Sequence, residues 1–172
     1  MLNATTNAAA KVGEYPFTTL RPQLGVVRHK GREFVLADIP GLIEGAAEGA
    51  GIGDRFLGHV ERCRLLLHLV DVAGDHPVEA WRVVRGELDA YGAGLADKPE
   101  ILAISRSDLV DAKQLAKVSR ALEKAGAPSP AVISAATGGG MEALLDAILE
   151  RLGPEARPSE DAPSDEKSWS PL

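Results

Sequence analysis

Apolar positions along this chain switch between two periods, and each switch predicts an element. Leu24 to His29 and Glu33 to Ile39 are short and β-branched, with Lys30-Gly31 between them as a two-residue turn, so they predict an antiparallel hairpin. Phe56, Leu57 and Val60 recur at helical spacing behind Asp54, which is placed to cap that helix. Arg64 to Asp71 (RLLLHLVD) is almost unbroken apolar sequence, the pattern of a strand covered on both faces. Trp81, Val84, Leu88 and Tyr91 mark a second helix ending at Gly92 and Gly94, and Ile101 to Ile104 is another buried strand. Leu115, Val118 and Leu122 define a third helix closed by Gly126, and Pro130 to Ile133 is the last strand. Met141, Leu144, Leu145, Ile148, Leu149 and Leu152 give a final helix one apolar face. Strands and helices in regular succession predict an α/β doubly wound domain, its mostly parallel sheet joined by right-handed crossovers.

The two ends differ from this middle. Residues Met1 to Val12 are Ala-rich and read as the remainder of a helix, broken at Gly13-Glu14-Tyr15-Pro16. From Gly153 onward Pro, Ser, Glu and Asp dominate, which predicts a disordered acidic and Pro-rich tail over 153–172. At 172 residues and 45% hydrophobic content the chain suits one domain with a proper core. A formal net charge of -6 gives no general attraction to nucleic acid or anionic membrane. Contact with RNA therefore requires a local basic patch, and no DNA partner is expected. A single cysteine, Cys63, excludes an internal disulfide; beside Leu65-Leu66-Leu67 it reads as buried and inert. No apolar run reaches the roughly 20 residues that span a bilayer, and the expectation is a cytoplasmic protein without a membrane partner.

Asp38 to Phe56 (DIPGLIEGAAEGAGIGDRF) departs most from the regular pattern. One carboxylate stands at the end of an apolar run, the chain turns at Pro40-Gly41, and Gly45, Gly49, Gly51 and Gly53 follow. Each glycine loses more backbone entropy on ordering than any other residue, so this density suits a segment that changes conformation or approaches a ligand. An ordinary surface loop is the alternative. In open α/β sheets ligands bind beyond the carboxyl ends of the strands. Four segments meet at that rim: Phe17-Thr18-Thr19-Leu20, Asp38-Ile39-Pro40-Gly41, Ser105-Arg106-Ser107-Asp108 and Ser134-Ala135-Ala136.

Their order and spacing resemble the nucleotide-binding motifs of translation-factor-class GTPases. YPFTTLRPQLGVV and DIPGLIEGAAEGAGIGDRFLGHVERCRLLLHLVD resemble the Obg family in particular, and the resemblance runs from Leu2 to about Leu152. It implies a three-layer G domain of the P-loop NTPase type over 1–152, and a protein that binds guanine nucleotide with Mg²⁺, hydrolyses GTP and serves assembly of the large ribosomal subunit. Within the loop Phe17 to Arg21, Thr19 would place its hydroxyl on Mg²⁺ and its N–H near the γ-phosphate. Asp38 would reach the same ion through water, with Ile39 and Pro40 shaping the turn and the Gly41 N–H on the γ-phosphate. Taken singly, Thr18-Thr19 reads equally as a turn pair and Asp38 as a strand-end acid. Asp108 would accept from the two donors on the guanine edge, which adenine cannot match. Backbone N–H groups of Ser134-Ala135-Ala136 would support the base, although the same residues suit a plain strand-to-helix connection.

The chain departs from the family pattern at two places, the brace before Asp108 and the phosphate loop. Obg proteins generally read Asn-Lys-x-Asp where this one reads Ser105-Arg106-Ser107-Asp108, which keeps the acid and changes its brace. Leu42 stands where Ras-like enzymes carry a water-orienting glutamine, a substitution the Obg family shares, so intrinsic hydrolysis is expected to be slow; no catalytic residue is assigned. His29, His59, His68 and His76 show no carboxylate partner at useful spacing, and His68 reads as a packed core residue. No phosphate-binding G-x-x-x-x-G-K-S/T loop occurs in these 172 residues. The expectation is a G domain lacking its first, central strand, with impaired nucleotide binding, marginal stability, and a gap or re-pairing beside the strand ending at Asp38. A non-catalytic protein that keeps a G-domain surface for a partner is the alternative reading.

Overall fold

A computed structural model describes residues 23–38 and 52–154, with side chains for 24–38 and 57–154. The expected N-terminal helix remnant, the loop Phe17 to Arg21, the glycine-rich stretch from Ile39 to Gly51 and most of the tail lie outside the described residues.

β1 (Gln23–His29) and β2 (Arg32–Asp38) form the expected hairpin, paired antiparallel in the register Val26↔Val35 and Gln23↔Asp38. Lys30 and Gly31 both take positive φ, at 48° and 73°. That is the turn whose twist matches two paired strands, and glycine holds its second position at no steric cost. Alternation then sorts the hairpin. Val27 and Phe34 are buried on one face, whereas Leu24, Val26 and Val35 are exposed on the other.

α1 (Ile52–Glu61) starts two residues before Asp54, so Asp54 lies in the first turn and is not the cap. β3 (Leu66–Asp71) leads to α2 (Pro77–Tyr91), which starts on Pro77 and stops at Gly92 with φ 76°. β4 (Glu100–Ser105) is followed by α3 (Ala112–Lys124), capped by Asp111, whose side chain accepts from the Gln114 N–H at 2.7 Å. β5 is only Ala131–Val132, and α4 (Met141–Leu152) closes the described chain apart from two residues. At the start of α4, Gly140 has φ 71° and its Cα faces the Val132 carbonyl, where a Cβ would collide with backbone.

β3, β4 and β5 are parallel neighbours in that order. Alternation along β4 builds the layers. Ile101 and Ala103 pack with Ile133 and with Met141, Leu144, Ile148 and Leu149 of α4, in a core that also takes Val27 and Phe34 of the hairpin. Leu102 and Ile104 point the other way, to Trp81 of α2 and Val118 and Leu122 of α3. A third cluster joins Leu57 and Val60 of α1 to Leu88 of α2 and Leu95. The three-layer, doubly wound α/β expectation is thus borne out.

The gap expected beside the strand ending at Asp38 is found: among the described residues β1–β2 is a separate two-stranded sheet, and β2 and β3 are not hydrogen-bonded to each other. One expectation about the sheet needs correction. β3 is not covered on both faces: Leu69 is 38% exposed and Leu66 to His68 are half-buried.

Candidate functional site

The carboxyl ends of the three parallel strands set one rim. β3 ends on Asp71, β4 on Ser105 and β5 on Val132. Backbone bonds carry the register beyond the strands: the Val72 N–H donates to the Ser105 carbonyl at 3.3 Å, the Ile133 N–H to Ile104 at 2.8 Å and the Ser107 N–H to Ile133 at 3.2 Å. Ser105 to Asp108 and Ser134 to Ala136 therefore leave the sheet side by side, as the sequence leads one to expect.

Ser134 is the hinge pin of this arrangement. It is 1% exposed, and among the described residues it is the one fully buried polar side chain. Its hydroxyl donates to Asp108 Oδ1 at 2.5 Å and accepts from the Thr137 N–H at 3.2 Å. Its N–H donates to Gly139 and its carbonyl accepts from Gly138, both at 2.9 Å. All its polar groups are satisfied inside the protein, which is what burial demands. Asp108 is instead exposed, and its Oδ2 has no partner among the described residues. Beside it the N–H groups of exposed Ala135 and Ala136 make no hydrogen bond among the described residues. A fixed carboxylate next to open backbone donors can bind a planar group that offers both N–H donors and a carbonyl acceptor.

The altered brace has a geometry of its own. The Ser105 hydroxyl donates to the Val70 carbonyl at 3.3 Å, tying β4 to β3 at the rim. Arg106 takes the left-handed conformation, φ 60° and ψ 34°, and its guanidinium lies 2.6 Å from Asp71 Oδ2. Asp71 Oδ1 accepts from the Ala73 N–H at 3.0 Å. A β-strand acid and a positive-φ arginine together fix the turn that precedes Asp108. Asp71 belongs to none of the four motif segments; its signal was its place at the end of an apolar strand on the same rim.

Asp38 is exposed at the end of β2, on the other sheet. The structure does not bring it into contact with the Asp108 cluster. Its motif neighbours Ile39, Pro40 and Gly41 lie outside the described residues, as do Phe17, Thr18, Thr19, Leu20 and Arg21. Among the described residues no group of three or more His, Cys, Asp or Glu is gathered as a metal site.

Histidine partners invisible in the sequence appear away from the rim. His68 Nδ1 lies 3.0 Å from Glu100 Oε1, and Glu100 Oε2 accepts from Arg85 at 2.9 Å. Burial pushes the Glu100 carboxyl up, but the His68 hydrogen bond and charge and the Arg85 guanidinium outweigh it and leave the group below its ordinary value. His29 Nε2 lies 2.7 Å from Asp146 Oδ1, and Lys30 Nζ is bonded to the same carboxylate at 2.7 Å. No carboxylate stands at useful spacing from these histidines in the sequence, because residues 32 and 117 positions apart meet only through folding. Cys63 is half-buried, its thiol is pushed up by burial, and its Sγ lies 3.4 Å from the His59 carbonyl, which fits the inert reading. No helix among the described residues is long and apolar enough to cross a membrane.

A protein-family model described as "50S ribosome-binding GTPase" matches residues 1–106. The chain is 64% identical over 171 residues to a GTPase Obg of Rhizorhabdus wittichii, covering 99% of this chain and 49% of that protein. It is 55% identical over 172 residues to a GTPase Obg of Zymomonas mobilis and 58% identical over 177 residues to one of Erythrobacter litoralis, each time covering 99% of this chain and 50% of the relative. The chain spans about half the length of the curated relatives it matches. With the match extending from residue 1 through β4 to Arg106 of the rim, the chain belongs to the 50S ribosome-binding GTPase family and, within it, to the Obg proteins.

Proposed function

We propose that this G domain recognises guanine nucleotide at the rim of β4 and β5, as part of a protein that hydrolyses GTP to GDP and phosphate and works with the large ribosomal subunit. One observation carries the reading. Asp108 is held at one oxygen by the buried Ser134 hydroxyl while its other oxygen and the Ala135 and Ala136 N–H groups stay open. Guanine offers two adjacent N–H donors to such a carboxylate and a carbonyl oxygen to the neighbouring N–H groups; adenine offers neither pattern. Ser105, Arg106 and Ser107 act on the base indirectly, by holding the turn that aims Asp108.

Thr19 and Asp38 are the residues that would hold Mg²⁺. The exposed carboxylate of Asp38 suits a hard cation reached through water. When bound, the ion neutralises charge that develops on the phosphates. Phe17 to Arg21 and Asp38 to Gly41 would follow the γ-phosphate, Thr19 and Gly41 through their N–H groups. Leu42 cannot orient water, so hydrolysis draws that function from another group. These 172 residues hold no G-x-x-x-x-G-K-S/T motif. The relatives' names favour this reading over a non-catalytic, partner-binding protein.

The test is competition against a fluescent guanine nucleotide analogue. GDP and GTP should displace it while ATP does not. Asp108→Asn should lose guanine and gain xanthine nucleotides, because xanthine carries a carbonyl where guanine has its amino group and an amide can donate to it. Equal displacement by ATP, or unchanged selectivity in Asp108→Asn, overturns the assignment.

A further inference from the structure

One surface is unused by the rim, the cores or the hairpin. α3 carries Lys113, Lys117, Arg120 and Lys124, spaced four, three and four residues apart. At about 100° per residue these positions fall within an arc of about 60°. Leu115, Val118 and Leu122 lie on the opposite side, packed into the core shared with Trp81 and Ile104. All four cations are exposed, and none makes a hydrogen bond or ion pair among the described residues. Lys113, Lys117 and Arg120 line a shallow open groove floored by Ala116.

The pattern is unfavourable for the helix itself. Like charges at i,i+3 and i,i+4 repel, and no acid occupies the positions that would relieve Lys113, Lys117 or Lys124. Glu123 is the only acid in the helix, and it accepts from Ser129 Oγ at 2.9 Å. The other long helices mix signs: α2 carries Glu79 3.9 Å from Arg82, and α4 ends Glu150-Arg151. In a chain of net charge -6, one helix has collected a continuous basic face.

We propose that this face of α3 is a docking surface for the phosphate backbone of RNA. Four features choose the occupant. Successive charges lie about 4.5 to 6 Å apart along the helix axis, a rigid array suited to a regular polyanion. A protein partner would call for aromatic or aliphatic anchors, and only Ala116 lies among the cations. A membrane would call for apolar side chains on the flank of the same helix, and those are spent in the core. A second copy offering Glu142, Asp146 and Glu150 of α4 is disfavoured because Asp146 already holds His29 and Lys30. The choice of RNA among polyanions rests on the ribosomal partner proposed above.

The experiment is anisotropy of a fluorescein-labelled RNA hairpin against the 172-residue chain across a salt series. Four phosphate contacts predict a log–log slope of about -3 to -4, which is a loss of about 100-fold between 50 and 200 mM salt. The variant K113Q/K117Q/R120Q/K124Q should bind weakly with a slope near zero. The variant K113R/K117R/R120K/K124R should bind as the parent does. The glutamine variant should also melt no lower than the parent by circular dichroism, since repulsion is removed. An unchanged slope in that variant, no RNA binding by the parent, tighter binding to phosphatidylglycerol vesicles than to RNA, or a loss of self-association in place of RNA affinity each overturns the proposal. Nucleotide selectivity measured on the same samples separates the two readings: stripe-dependent RNA binding without guanine selectivity sinks only the nucleotide assignment, and guanine selectivity without RNA binding sinks only this one.

Discussion

The β4–β5 rim and the β1–β2 hairpin both carry residues proposed to meet the nucleotide, and they are braced in different ways. At the rim the turn before Asp108 is tied to β3 by Arg106–Asp71 and Ser105–Val70 and to the residues just after β5 by Ser107–Ile133 and Ser134–Asp108. The hairpin is tied at its other end. His29 and Lys30 share Asp146, and Arg32 donates to the carbonyls of Leu149 and Gly153, all beside the turn. Asp38 lies on the order of 20 Å along the strand from those anchors. A base-reading element gains from being fixed, since a preorganised carboxylate discriminates best. An element proposed to follow the presence of a γ-phosphate gains from being fixed only at its far end.

Core truncations give the largest expected contrast. Ile104→Ala, at a fully buried position of β4, should destabilise the chain by about 3 to 4 kcal/mol in urea unfolding. Val27→Ala in the hairpin should cost about 2 kcal/mol. If Val27→Ala proves as severe as Ile104→Ala, the hairpin is as integral as the sheet and the contrast fails.

Next comes the polar brace under β3 and β4. Glu100→Gln should cost about 2 to 3 kcal/mol, because Arg85 and His68 lose a charged partner whose side chain is only 10% exposed. Its folded carboxyl is held below the ordinary value, so the stabilisation is present above the ordinary carboxylate range near 4.3 and is lost as pH falls through the folded value. Unfolding followed from neutral pH into acid should show parent stability declining in that window, with a shallower decline in the variant. Equal slopes would remove Glu100 from the account.

Ser134→Ala sharpens the comparison at the site. It removes the donor to Asp108 and the acceptor for the Thr137 N–H, at a cost of about 1 to 2 kcal/mol. Guanine-over-adenine selectivity should fall with it, read by the same competition titration. Retained selectivity would show that Asp108 needs no brace. Asp146→Ala should have the smallest effect on global unfolding, since the carboxylate is exposed. Amide exchange should instead accelerate in β1 and β2 and stay unchanged in β3 to β5. Uniform acceleration would mean that the two sheets open as one unit.

The order of elements was legible because each depends on local pattern. Alternation gave the hairpin and Lys30-Gly31 its turn, and Leu115, Val118 and Leu122 marked α3 by helical spacing. Asp108 and Ser134 were legible for a similar reason, as each follows a recognisable strand at the same rim. Asp71 was not, because its role depends on a guanidinium 35 positions away. The half-open faces of β3 and the carboxylate partners of His29 and His68 were illegible too.

By itself the sequence determined the doubly wound succession of elements and the motif spacing that carries the family resemblance, from which the residues proposed to meet guanine follow. Hydrophobic period and motif spacing are properties of neighbours along the chain, so one dimension suffices to read them. Tertiary structure alone decided that Ser134 is buried under Asp108, that Arg106 turns back onto Asp71, and that four cations of α3 face outward together while its leucines face the core. Those outcomes depend on which side of each element meets the sheet, and that choice is made only when the layers pack.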